Sequence, residues 1–113
     1  VGSRGIATLA ASLRSRPRFR YLHLDRCLLR DADIIAMFAA CDGGDYPALT
    51  SLDLERNSIG SDGMLVIATA IGRGVFPALR AEQLRLAHNR ASDTSLAELS
   101  RSFGRRASRG LQL

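Results

Sequence analysis

The chain has 113 residues, 46% hydrophobic and 24% charged, which fits one globular domain and excludes a disordered chain. Aromatics are 5% and Trp is absent, so the expected core is built from Leu, Ile and Ala in many small contacts repeated along an axis. The net charge of +5 comes entirely from Arg at the two ends: residues 1–20 carry five Arg and no acid, 21–100 carry seven Arg and 11 acids, and 101–113 carry four Arg and no acid. That acidic middle weighs against a nucleic-acid surface covering the whole molecule.

In chain order, VGSRGIATLAASL (1–13) predicts a helix with Ile6, Leu9 and Leu13 on one face, followed by an Arg-rich loop, RSRPRFR. FRYLHLDRCLL (19–29) predicts a strand, because Leu22 and Leu24 alternate; Cys27 and Leu29 follow at a turn. LRDADIIAMFAAC (29–41) returns to helical spacing through Ile34, Met37 and Cys41. A loop ending in YPAL leads to a second strand in LTSLDLERNSI (49–59), with Leu52 and Leu54 inward and Asn57 after them. IGSDGMLVIATAI (59–71) is helical through Met64, Ile67 and Ile71, and a second loop ends in FPAL. In both loops the Pro stops the helix and presets an extended approach to the strand. AEQLRLAHNRA (81–91) predicts a third strand through Leu84 and Leu86, with an inserted pair near 79–83, and Asn89 follows. ASDTSLAELSRSF (91–103) predicts a helix through Leu96, Leu99 and Phe103, then an Arg-rich loop at 104–110 and the start of a fourth strand at Leu111 and Leu113. Asp31, Ser61 and Ser92 or Asp93 stand where helix N-caps are expected.

The three strand segments share one pattern, LxxLxLxx(N/C)xL, and Leu22, Leu52 and Leu84 are 30 and 32 residues apart. Asn57 and Asn89 are expected to form a buried ladder, each amide donating to and accepting from backbone groups of stacked turns. Cys27 stands in the same column with a weaker donor.

This pattern resembles the leucine-rich repeat, and the true helix in each unit, the IGSDG stretch at 59–63 and Cys27 in the ladder column resemble its ribonuclease-inhibitor-like subtype. The resemblance implies an α/β solenoid, a right-handed superhelix with a parallel sheet on the concave side and helices on the convex side. About three and a half repeats would form one domain over 1–113, itself expected to be a fragment of a longer array or a larger assembly.

On that arrangement the concave face carries Tyr21, His23, Asp25, Ser51, Asp53, Glu55, Gln83 and Arg85, with Arg26, Arg56 and His88 at its edge. The expected function is a protein-binding module or scaffold using this face, with Tyr and Arg as the types enriched in hot spots. His23 beside Asp53 is half of an acid–base arrangement, yet no Ser or Cys nucleophile is placed to complete it. An exposed cross-strand pair needs no catalytic explanation. No enzyme activity, metal or cofactor is therefore expected; His23, His88 and Cys27 lack zinc-ligand spacing, and GSDG lacks the Lys of a phosphate loop.

Two alternatives stand beside the scaffold. The segments at 14–20 and 104–110, read as equivalent loops, form a basic edge for nucleic acid or an acidic protein. The family resemblance also implies regulators of enzymes, of the GTPase-activating or inhibitor type. Two cysteines without a secretion signal predict reduced thiols in an intracellular setting, cytoplasmic sooner than nuclear. No apolar run approaches transmembrane length, so no membrane partner is expected.

Overall fold

The computed structural model describes residues 12 and 18–111. Three short strands, β1 (Tyr21–His23), β2 (Ser51–Asp53) and β3 (Leu84–Arg85), form an open parallel sheet in the order β1-β2-β3. Helix α1 (Asp31–Phe38) lies between the first two strands in sequence, α2 (Ser61–Gly72) between the second and third, and α3 (Asp93–Leu111) follows the last. Leu22 pairs with Leu52 and Leu52 with Leu84, so the apolar pattern of the sequence is also the register of the sheet. The helices pack side by side, α1 on α2 and α2 on α3.

The core lies between sheet and helices. Leu29, Ile34, Leu52, Leu54, Ile59, Met64, Ile67 and Ile71 are all inaccessible to solvent. Below them is a cluster absent from an aliphatic expectation. Phe38 and Phe76 meet edge-on with centroids 5.2 Å apart, and Tyr46 sits 5.4 Å from Phe76 and 6.1 Å from Phe38. Such pairs contribute about 0.5–1.5 kcal/mol beyond their area. Tyr46 and Phe76 each begin one of the PAL turns, so these turns close the bottom of the core as well as ending helices.

Asparagine side chains join the turns at the top. Asn57 Oδ1 accepts from the Cys27 and Leu29 amides at 3.0 and 2.9 Å, while its Nδ2 donates to the carbonyls of Leu24, Leu54 and Glu55. Asn89 Oδ1 accepts from the Ile59 amide at 3.0 Å, and Nδ2 donates to Leu54 and Leu86 carbonyls. Cys27 is half-buried, and its thiol donates to the Asp25 carbonyl two residues back, within its own turn.

Several expectations are corrected. The solenoid of about three and a half repeats is not what the chain forms: it is a small α/β unit with three helices among the described residues. Its radius of gyration of 13.0 Å matches a compact domain of this length, about 13 Å. No fourth strand begins at Leu111, because α3 continues through it. The two earlier helices end near loops carrying Gly44 and Gly74 at positive φ, each followed by a Pro. Segment 104–110 has neither device, and Arg106 anchors the helix instead by donating to the Phe76 carbonyl at 2.6 Å. Asp31 and Ser61 are the first helical residues rather than N-caps; Arg30 and Gly60 hold those positions. The Asp31 carboxylate reaches sideways and accepts from the Gly60 amide at 2.6 Å, tying the start of α1 to the start of α2. Ser92 does act as a local cap, accepting from the Ser95 amide. Leu96 is 43% exposed and so departs from the buried stripe expected of α3. The helix expected over 1–13 and the loop residues at 14–17 lie outside the described residues, Ser12 excepted.

Candidate functional site

Alternation along the strands puts Leu22 and Leu52 into the core and turns their neighbours outward. Register then aligns His23 with Asp53 and Asp53 with Arg85, so these three expected residues stand in one transverse row. Their side chains do not form one network. His23 Nε2 lies 3.4 Å from Ser51 Oγ, Asp53 Oδ1 accepts from the Glu55 amide at 3.0 Å, and Arg85 sits 4.0 Å from Glu55. The Arg85–Glu55 pair is largely solvated and contributes at most about 1 kcal/mol. His23 thus meets the Ser51 hydroxyl, while Asp53 bonds the Glu55 amide rather than the imidazole.

Exposure separates the expected face further. Tyr21 is 60% exposed and tilts toward His23 with ring centroids 6.3 Å apart. Asp25 and Gln83 are exposed, and Asp53 and Glu55 are half-buried. Ser51 is the exception: it is buried, because its small side chain lies beside Tyr21 on the paired strand and under the His23 ring contact.

The edge residues share a feature that residue type alone does not announce. Arg26, Arg56 and His88 all have left-handed backbone conformations, with φ of 56°, 56° and 60°. Each sits at the same place in its unit, just past the strand. Leu28, in the first of these turns, is also left-handed at φ 59° and is 81% exposed. An L residue pays about 1–2 kcal/mol for this conformation, which glycine adopts without strain. The ladder bonds to neighbouring amides and carbonyls hold the turns in place. All three edge side chains are exposed.

Sequence reasoning missed Arg80. It follows FPAL directly, as Thr50 follows YPAL, so aligning the two turns finds it. The extra residues after it form a 3-10 turn, Ala81–Gln83, which delays β3. A pocket of about 460 Å³ opens there, lined by Tyr21, Thr50, Ser51, Ala78, Arg80 and Gln83.

The second Arg-rich edge does not take the expected form. Residues 104–110 lie within α3, not in a loop. Arg105 donates to Glu98 and Ser102, and Arg106 stacks over Phe103 while bonding the Phe76 carbonyl. Partial burial lowers the Arg106 pKa from its usual value by desolvation. These two cations serve the packing of α3. Among the described residues no group of three His, Cys, Asp or Glu is placed to hold a metal ion. No helix among them is long and apolar enough to cross a membrane.

No protein-family model matches the chain, and comparison with curated proteins found no similar sequence.

Proposed function

We propose that the chain is a protein-binding module that takes its partner on the exposed face of the sheet and the turn edge beside it. The resemblance of its units to leucine-rich repeats belongs to this proposal and supports it from the sequence side. The observation that carries the reading is the left-handed edge. Arg26, Arg56 and His88 occupy positions where glycine or asparagine would relieve strain, and their side chains are exposed with no ion pair among the described residues. Strained backbone is enriched at binding and active sites, which supports the reading. Tyr21 and Arg85 on the adjoining face add two residue types that dominate interface energetics.

The test begins with capture of partners from cell lysate by the 113-residue chain, at low and moderate salt and with nuclease. Protein partners should survive both treatments. Replacing Tyr21, His23, Asp53, Arg56 and Arg85 together should abolish that capture; unchanged capture would remove the face from consideration. Arg56→Gly then separates function from folding. It should raise stability by about 0.5–1 kcal/mol through relief of the left-handed strain while weakening the captured partner. A variant that is less stable and binds as before contradicts the proposal.

A further inference from the structure

We propose that the pocket between Tyr21 and Arg80 receives the carboxylate of an acidic residue on an extended peptide segment of the partner. This rests on the sheet-face reading and adds the partner's chemistry to it. The pocket of about 460 Å³ contains one cation, Arg80, and the Gln83 amide, both exposed. Neither side chain has a hydrogen-bond or ion-pair partner among the described residues. Tyr21 and the small Ala78 side chain also line it. No carboxylate lines it. A guanidinium and an amide lining one pocket with a tyrosine suit a planar, two-oxygen acceptor, which arginine binds in fork geometry.

The surroundings choose between acidic partners. Asp53 follows Ser51 by two residues along β2, so it stands about 7 Å from the pocket at the usual strand rise. Glu55 lies beyond it, paired with Arg85 at 4.0 Å, so Asp53 is the carboxylate beside the pocket without an ion pair among the described residues. The distance from Asp53 to the pocket is within the screening length at physiological salt, about 8 Å. A nucleic acid entering at Arg80 would bring a further phosphate over the Asp53 carboxylate and be repelled there. A peptide can place one acidic residue in the pocket and neutral or basic residues over Asp53. The other basic cluster, Arg30 and Arg90 around Ser58, includes the Asp31 carboxylate in the same pocket and is partly neutralised.

The experiment is selection of a random octapeptide display library on the 113-residue chain and on its Arg80→Glu variant. Arg80 is exposed, so circular dichroism should show the variant folded as the parent. The parent should enrich peptides with a single Asp or Glu and with neutral or basic residues two positions away. Arg80→Glu should lose these peptides by at least about tenfold in affinity, and Arg80→Lys should keep part of the binding, as a point charge without the fork. Peptides that depend on Tyr21 and Asp53 but show no acidic bias and ignore Arg80→Glu would overturn the inference and leave the sheet-face reading standing. Selection indifferent to all three positions would overturn both. Tighter binding of a single-stranded oligonucleotide than of any selected peptide, lost in Arg80→Glu, would replace the peptide with a polyphosphate and also overturn it.

Discussion

The middle unit and the last unit are written in the same pattern but buried to different depths. Leu52, Leu54, Ile59, Met64, Ile67 and Ile71 are all at 0% exposure. Their counterparts are Leu84, Leu86, Ala91, Leu96, Leu99 and Phe103; only Leu99 is buried, at 5%, and Leu96 is 43% exposed. The middle unit has a strand and a helix on each flank, counting β1 and α1 on one side and β3 and α3 on the other. The last has a neighbour on one side only, among the described residues. An inward-facing position is thus a property of the residue spacing, whereas its burial depends on what is packed beside the unit.

Replacing matched leucines gives the largest expected contrast. Leu52→Ala should cost about 2–5 kcal/mol, the range for a core leucine in a site that cannot collapse. Leu84→Ala should cost about 1–2 kcal/mol, because Leu84 is only half-buried. Denaturant titration of the two variants measures both. Equal losses would mean that the last unit is as tightly held as the middle one.

Removing the matched amides comes next. Asn57→Ala strands the Cys27 and Leu29 amides, and the bond to Leu29 is buried. The expected loss is about 2–4 kcal/mol. Asn89→Ala frees one amide, that of Ile59, in a partly buried bond, and should cost about 1–2 kcal/mol. Amide hydrogen exchange should show faster exchange at Leu29 in the first variant and at Ile59 in the second, with each effect confined to the preceding unit's turn.

How far the sequence reached follows the same division. Strand alternation, the order of elements from β1 to α3, and the bonds of Asn57 and Asn89 between turns were readable, since each depends on the spacing of nearby residues. The end of α3 was not. The spacing predicts a loop at 104–110 equivalent to 14–20, but 104–110 carries no proline. The bond from Arg106 to the Phe76 carbonyl spans 30 residues and leaves no trace in local periodicity. The sheet-face residues were placed by alternation, but Ser51 was lost to the bulk of its neighbour Tyr21, a cross-strand effect. Arg80 was hidden by the extra residues that form the 3-10 turn. The left-handed edge was also invisible, because arginine, leucine and histidine do not signal positive φ as glycine does.

The smallest contrast is one of sign. Gly63 and Gly104 both lie inside helices, and propensity alone favours alanine over glycine at each by about 1 kcal/mol. At Gly63, in the first turn of α2, an added Cβ would stand 2.7 Å from Asp31 Oδ1 and 2.7 Å from Ile59 Cγ2. Asp31 cannot withdraw freely, since the same carboxylate oxygen accepts from Gly60 at 2.6 Å. Gly63→Ala should therefore destabilise by about 1–3 kcal/mol as the two helix starts are pushed apart. At Gly104, within α3, an added Cβ meets nothing within 4 Å. Gly104→Ala should stabilise by about 0.5–1 kcal/mol, raising the melting temperature by roughly 4 °C. A loss at Gly104 would require the helix to end before Gly104, because the gain exists only if residue 104 is helical in the folded chain.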